Sequence, residues 1–171
     1  MKPNYTKKSI DICTDLAQNA LILLQNKGLK VGIAESCTGG LLSYHFTALD
    51  GASAVLDGAM ITYANAIKAS WLGVSEENLK LYGAVSEPVV REMCAGILFQ
   101  SNANIALATS GIAGPSGGSV QKPIGSVYIG VQRKGEQAQI EYCHFQGDRH
   151  LVQFQSCAKA LEMLIALLHC S

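Results

Sequence analysis

The sequence lacks both a net charge and a long apolar run. Its 13 Lys and Arg residues balance its 13 Asp and Glu residues. Because a sequence-independent grip on nucleic acid needs a basic face, we expect no nucleic-acid partner. The apolar runs fall short of the roughly 20 residues that cross a membrane, and residues 1–15 lack the apolar core of a signal peptide. We therefore expect a cytoplasmic protein without a membrane partner.

The sequence also lacks the patterns of metal and nucleotide-cofactor sites. None of its six cysteines forms a Cys-x-x-Cys pair, and no histidine spacing completes a zinc site. Neither the Walker phosphate pattern nor the dinucleotide pattern Gly-x-Gly-x-x-Gly occurs. Without a secretion signal no disulfide framework is expected, and most cysteines are predicted to be small buried residues. Cys37 is the exception, because it neighbours Ser36 and is an alternative, thiol nucleophile.

A large apolar fraction is present, and no linker or repeat interrupts it. Hydrophobic residues make up 49% of the 171 residues and charged residues 15%, which fits one domain over residues 1–171. Segments of helical and strand periodicity alternate along the chain. We therefore predict the α/β class: a single three-layer α/β/α domain with a mixed, mostly parallel sheet and a C-terminal β-hairpin plus helix.

Periodicity and capping residues locate the elements. Helices are predicted at 9–27, 41–49, 66–72, a short segment after 75, 87–100 and 149–169, and strands at 31–35, 55–63, 104–109, 124–132 and 138–145. The predicted helix N-caps are Asn65, Ser75, Ser86 and Asp148. Ligand sites in such sheets form beyond the carboxyl ends of strands, so the residues that follow these strands could converge.

The turn after the first strand carries the first candidate groups. Ser36 and Thr38 lie between a buried strand and a helix that Gly39 and Gly40 open. Backbone N–H groups at a helix start have no internal partner and lie at its positive end, so the turn suits an anion or an oxyanion. A serine hydroxyl here is placed for chemistry. The alternative is a plain capped turn, because Ser and Thr are favoured caps.

A lysine follows the second strand. Lys68 is predicted at the third position of the helix that Asn65 caps, where the positive helix end and burial would both lower its pKa. A neutral lysine can take a proton from a serine. The alternative is a surface lysine whose charge reaches water. Tyr63 ends the preceding strand and could bond to either group, or could simply pack on the core.

Two further features point to an anionic ligand. Arg149 is another cation at a predicted helix start, and its guanidinium matches a phosphate in shape and charge. The alternative is a simple ion pair with Asp148 or a neighbouring residue. The loop 110–118, which begins with Ser110 and Gly111, holds four glycines and a proline and could wrap a phosphate or ribose with its N–H groups. Glycine-rich loops are also often only turns.

Six motifs in order carry a family resemblance. They are AESCTGG at 34–40, TYxNxxK at 62–68, GAVSEP at 83–88, SGIAGP at 110–115 followed by a Gly-Gly pair, KPxG at 122–125 and GDR at 147–149. Together they resemble the CinA C-terminal domain family over roughly residues 8–168.

The resemblance implies an activity and site roles. The implied reaction is hydrolysis of the carboxamide of nicotinamide mononucleotide to nicotinate mononucleotide and ammonia, in pyridine nucleotide salvage. Ser36 is the implied nucleophile, Lys68 its base and Tyr63 a supporting hydroxyl. No metal or cofactor is implied, and the resemblance favours a homodimer. The residues expected to bind the substrate are Thr38, Gly39, Gly40, Asn65, Ser110, Gly111 and Arg149.

One motif departs from the family pattern. The family often has a glutamate two positions before the lysine, where this sequence has Ala66. The missing carboxylate would help to keep Lys68 neutral. The rival interpretation is a non-catalytic pyridine-nucleotide-binding module or sensor, which would have the pocket but no turnover.

Overall fold

The computed structural model describes residues 7–170 of the chain, with the side chains of residues 9–170. The predicted domain spans residues 1–171, of which 1–6 and 171 lie outside the described part. Helices and strands alternate, with a short 3₁₀ turn at Ala52–Ala54. Their bounds are α1 Lys7–Lys27, β1 Val31–Glu35, α2 Leu41–Thr47, β2 Leu56–Ile61, α3 Asn65–Leu72, α4 Glu76–Tyr82, α5 Glu87–Gln100, β3 Ile105–Gly111, β4 Ser126–Arg133, β5 Gln139–His144 and α6 Arg149–His169.

The strands form one five-stranded sheet in the order β2-β1-β3-β4-β5. β1 pairs in parallel with β2 and β3, whereas β3 with β4 and β4 with β5 pair antiparallel. Within this sheet, β4 therefore runs against the other four strands, and β4 and β5 form the C-terminal hairpin. The predicted α/β class with a mixed, mostly parallel sheet is confirmed.

Each face of the sheet buries its own hydrophobic core. Successive strand residues point to opposite faces, so β1 and β3 contribute to both cores. Ile33 and Leu107 pack on one face with α1, α2 and α6. Ala34, Ala106 and Ala108 face the other side, where their small side chains leave room for α5. The result is the three-layer α/β/α arrangement.

The strand register brings three strand ends to one edge. Glu35, the last residue of β1, lies opposite Ile61, the last residue of β2, and Thr109 of β3. Two backbone hydrogen bonds extend this alignment past β1: the Thr62 N–H donates to the Glu35 carbonyl at 2.8 Å, and the Ser36 N–H donates to the Thr109 carbonyl at 3.0 Å. The predicted convergence of strand ends is therefore present at the carboxyl edge.

The last helix, α6, is more apolar than we expected from the sequence. Among the described residues it is the one helix that meets the length and mean hydropathy of a membrane span. Val152, Cys157, Leu161 and Leu164 of α6 are buried in the core that also contains α1. A core helix of an α/β fold has this same composition, so the pattern follows from packing within the fold.

The N-cap positions agree with prediction at Ser75, Ser86 and Asp148 and differ at Asn65. Ser75 and Asp148 accept N–H groups of α4 and α6, as predicted. The prediction of Asn65 as an N-cap is wrong, because Ala64 holds the extended backbone of the cap (φ −83°, ψ 149°) and Asn65 is already helical. Ser86 stands at the N-cap of α5, but its hydroxyl donates to the Gly83 carbonyl at 2.8 Å instead.

The third strand is longer than predicted at its carboxyl end. Ser110 and Gly111 belong to β3 rather than to the loop, since they continue the ladder opposite Tyr128 and Val127 of β4. A β-carbon on Gly111 would lie 2.6 Å from a Val127 methyl and 2.8 Å from the Ser126 carbonyl. Glycine is thus required here by the close approach of β4 and not by a turn.

Candidate active site

The turn between β1 and α2 presents the Ser36 hydroxyl to a cavity. The Ser36 N–H donates to the Thr109 carbonyl, and the Ser36 carbonyl accepts the Gly39 N–H at 3.2 Å. Gly39 (φ 61°) and Gly40 (φ 101°) take the left-handed backbone that closes this turn. The Ser36 side chain is buried but lines the cavity wall.

The fully buried Glu35 side chain caps the start of α2 from the protein interior. Its carboxylate accepts the N–H groups of Gly40 at 2.9 Å, Leu42 at 3.1 Å and Ser43 at 2.8 Å. The expectation that these helix-start N–H groups are open to a ligand is therefore wrong. In the described part of the chain, the N–H groups of Cys37 and Thr38 donate no hydrogen bond to another residue, and of these two residues only Cys37 lines the cavity.

Sequence reasoning missed Glu35, although a signal was present. A carboxylate ends an otherwise apolar strand that the sheet buries on both faces, and α2 has a glycine at its N-cap with no side-chain cap. A buried carboxylate needs hydrogen-bond donors, and an uncapped helix start needs acceptors. Those two needs together predict the observed contact.

Lys68 reaches the same cavity from α3. Its side chain is 1% exposed, and its Nζ donates to the Ser36 Oγ at 3.0 Å, the Thr62 carbonyl at 2.8 Å and the Tyr63 carbonyl at 3.3 Å. Both carbonyls belong to the segment that follows β2, which lies beside β1 at the carboxyl edge. The structure thus places the predicted nucleophile and base within hydrogen-bonding distance.

Burial is the main cause of an altered lysine pKa. It lowers the pKa of Lys68 from 10.5 to about 8, and the nearby Cys37 is a smaller influence in the opposite direction. We expected the positive helix end to contribute, but Lys68 is the fourth helical residue of α3, because the helix begins at Asn65. The lowered pKa therefore follows from tertiary packing.

Cys37 is less suited than Ser36 to act as a nucleophile. Its thiol is 5% exposed, and burial raises its pKa from 9.0 to about 12. Because the thiolate is the reactive form of cysteine, a raised pKa makes Cys37 a poorer nucleophile than an unburied thiol. The thiol alternative raised by the sequence is thus disfavoured.

Four other predicted residues line this cavity: Tyr63, Ser110, Gly111 and Arg149. The Tyr63 ring is 63% exposed at the mouth, and it is the Tyr63 backbone carbonyl that contacts Lys68. Ser110 is buried, and its hydroxyl donates to the Ala84 carbonyl at 2.8 Å. Arg149 is the first residue of α6, and its partly exposed side chain completes the wall. None of the ion pairs among the described residues involves Arg149.

The cavity has a volume of about 240 Å³. It is smaller than the roughly 300–1,000 Å³ of sites for drug-sized ligands. The turn at 84–85 and the glycine-rich segment 111–117 supply the rest of its walls. Its size and its polar groups suit a small polar group of a ligand, with the remainder of the ligand at the mouth.

The other predicted substrate contacts lie elsewhere. Gly39, Gly40 and Thr38 line a neighbouring, wider cavity of about 500 Å³, and the Thr38 hydroxyl shares a 2.8 Å hydrogen bond with that of Thr109. Asn65 faces a shallow depression beside α4. Substrate contact by these four residues stays a prediction. Across the described residues, no three His, Cys, Asp or Glu side chains are grouped to hold a metal ion.

The fold and the site define a class: a three-layer α/β domain with a serine–lysine pair at the carboxyl edge of its sheet. The model of the CinA C-terminal domain matches residues 13–168. The chain therefore belongs to the CinA C-terminal domain family, and the resemblance described from its motifs is confirmed.

Curated relatives include short and long proteins. The chain is 46% identical over 139 residues to the nicotinamide-nucleotide amidohydrolase PncC of Enterobacter agglomerans, covering 81% of this chain and 85% of that protein. It is 49% identical over 142 residues to a putative competence-damage inducible protein of Caldicellulosiruptor saccharolyticus, covering 83% of this chain. The chain spans only 34% of that longer relative.

Solved structures agree with the fold. The crystal structure of the competence/damage inducible protein CihA from Agrobacterium tumefaciens has a TM-score of 0.89 and 39% identity, and the match covers 91% of this chain and 95% of that one. A CinA superfamily protein from Klebsiella pneumoniae 700603 also has a TM-score of 0.89, with 34% identity over 93% of this chain and 99% of its own.

Proposed function

We propose that the chain is an amidohydrolase that converts nicotinamide mononucleotide to nicotinate mononucleotide and ammonia, in pyridine nucleotide salvage. The observation that carries the proposal is the 3.0 Å hydrogen bond between the Lys68 Nζ and the Ser36 Oγ inside a small cavity. The choice of substrate follows the amidohydrolase from Enterobacter agglomerans, which is similar over most of its length.

The contacts of Lys68 suit a general base. A neutral amine has two N–H groups and one lone pair. The protonated Lys68 Nζ donates to all three oxygens, the Ser36 Oγ and the carbonyls of Thr62 and Tyr63. When Lys68 is neutral, the two carbonyls accept its two N–H groups, and its lone pair can accept the Ser36 hydroxyl proton. A lysine with a pKa of about 8 is in this neutral form in a useful fraction of molecules near pH 7 to 8.

Acyl transfer through Ser36 needs no reagent other than the substrate and water. As the Ser36 Oγ attacks the carboxamide carbon, its proton passes to the Lys68 Nζ and an oxyanion forms. Collapse breaks the C–N bond, and Lys68 returns the proton to the leaving ammonia. Water then repeats the sequence on the ester, which releases nicotinate mononucleotide and restores Ser36. The Cys37 N–H, which lies next to Ser36 in the same cavity, is the backbone donor available to the oxyanion.

Arg149 is the residue to which we assign binding of the substrate phosphate. The start of α2 is closed by Glu35, so a phosphate has no free helix start there. Arg149 lines the cavity, and an arginine side chain offers several N–H donors to a phosphate. We assign the substrate phosphate to Arg149, with the carboxamide between Ser36 and Lys68.

An ammonia assay tests the proposed function. Wild-type protein is expected to release ammonia from nicotinamide mononucleotide, and Ser36→Ala is expected to release none while it stays folded. The riboside and the dinucleotide, assayed in parallel, define the preferred substrate. Binding of the mononucleotide, measured by calorimetry, without ammonia release would contradict the proposal and identify a non-catalytic binding module.

Three expectations from the sequence stay predictions beside this proposal. They are the cytoplasmic location, the absence of nucleic-acid and membrane partners, and the homodimer. Sedimentation of the purified chain measures the assembly directly.

A further inference from the structure

Glu35 is a buried carboxylate that the proposed chemistry does not use. It is 0% exposed, and none of the ion pairs among the described residues includes it. Three backbone N–H groups at the start of α2 stabilise its charge instead. Charge-assisted hydrogen bonds of this kind are shorter and stronger than neutral ones. Glu35 therefore fixes α2 rigidly to the end of β1.

The backbone of the same residue connects to the lysine. The Glu35 carbonyl accepts the Thr62 N–H at 2.8 Å, and the Thr62 carbonyl in turn accepts the Lys68 Nζ at 2.8 Å. Ser36 is the next residue in the chain. One residue thus connects α2, the Ser36 turn and the segment that holds Lys68.

We propose that Glu35 is a positioning residue that sets the Ser36 turn relative to Lys68. The inference rests on the proposed serine–lysine chemistry. Glu35 does not line the cavity, so it acts through Ser36 and not on the substrate. Its carboxylate connects the residue before the turn 36–40 to three N–H groups at the start of α2, where the turn ends. Without this carboxylate, those three hydrogen bonds are lost and the turn is less well fixed.

Glu35→Gln tests the role with little change in size. The amide oxygen can keep the contacts with Gly40 and Leu42, but the amide nitrogen then points an N–H at the N–H of Ser43. Because a displacement of about 1 Å at a reacting group costs about 100-fold in rate, we expect kcat to fall about 100-fold. KM for the mononucleotide should change little, since Arg149, to which the substrate phosphate is assigned, lies on α6 and keeps its place.

Glu92→Gln is the matched control. The Glu92 carboxylate accepts the Ser75 N–H at 3.0 Å and the Asn78 Nδ2 at 2.7 Å, so it also holds a helix start, that of α4. Glu92 lines a different cavity from Ser36. Both substitutions should lower the melting temperature, whereas only Glu35→Gln should lower kcat below that temperature.

A second readout follows the reactivity of Ser36 itself. An alkyl fluorophosphonate reacts when the Ser36 Oγ attacks phosphorus, the P–F bond breaks, fluoride leaves and the serine proton passes to Lys68. Mass spectrometry gives the rate of this labelling independently of the natural substrate. We expect the rate to fall with kcat in Glu35→Gln and to stay near wild type in Glu92→Gln. If Glu35→Gln does not fold, Glu35→Asp replaces it in the comparison with Glu92→Gln. Its side chain is one methylene shorter, so its carboxylate cannot reach all three N–H groups in the same geometry.

The outcomes separate the two proposals. Active wild type together with equal kcat and equal labelling rates in both variants would overturn the positioning role of Glu35 alone. Wild type that neither releases ammonia nor labels at Ser36 would overturn the proposed function and the role of Glu35 with it. A loss of kcat and labelling confined to Glu35→Gln or Glu35→Asp supports the inference.

Discussion

Lys68 and Arg149 are two cations that line the same cavity in opposite environments. Lys68 is buried, and three oxygen atoms surround its Nζ. Arg149 is partly exposed at the first position of α6, where no described carboxylate pairs with it. Burial lowers the pKa of Lys68 to about 8, whereas a guanidinium keeps its proton. In the proposed mechanism, this difference in burial is why proton transfer is assigned to Lys68 and anion binding to Arg149.

The largest expected effect comes from making the two cations alike. Lys68→Arg keeps a positive charge beside Ser36 but removes a group that can accept a proton near neutral pH. General-base catalysis contributes about 100- to 10,000-fold, so we expect kcat to fall by about that factor. The measurement is ammonia release from the mononucleotide. If the variant retained most of its activity, Lys68 would serve only as a fixed charge.

Removing the second cation should affect substrates unequally. Arg149→Ala should weaken binding of the mononucleotide about 10- to 150-fold, because a charge-assisted hydrogen bond contributes about 1.5–3 kcal/mol. The riboside lacks the phosphate and should change little. The kcat/KM values of both substrates provide the comparison, and equal losses would show that Arg149 has a structural role.

The smallest expected effect is on stability. Native Lys68 releases its proton near pH 8, while the unfolded chain holds it to about pH 10.5. The unfolded state therefore binds more protons between these values, so the free energy of unfolding rises with pH in that window. From pH 7 to pH 9, wild type should gain about 1 kcal/mol over Lys68→Met in urea denaturation. An identical pH dependence for the two proteins would contradict the lowered lysine pKa.

Much of the fold follows from local sequence patterns. The alternation of apolar segments and the caps at Ser75 and Asp148 predict the helices and strands. Because β1 and β3 pair in parallel, their carboxyl ends lie at the same edge of the sheet, as predicted. Ser110 and Gly111 were predicted in a loop because glycine patterns indicate turns. Their place in β3 depends on the pairing with β4, which is distant in the sequence.

The site is less accessible to sequence reasoning. Side-chain types predict Ser36 and Lys68, but the carbonyls of Thr62 and Tyr63 that hold the lysine belong to the backbone and carry no residue signature. The pKa of Lys68 depends on how deeply the fold buries it. The role of Glu35 likewise depends on where α2 begins, which the glycine turn sets only in three dimensions.

The protonation of Lys68 is the most direct test of the account. Lysines labelled with ¹³C at Cε report their own titration by NMR, and Lys68→Met identifies the signal. We predict that Lys68 titrates near pH 8 in the folded protein, together with the rise in kcat/KM. A titration near pH 10.5, the ordinary value for lysine, would contradict the assignment of Lys68 as the base that activates Ser36.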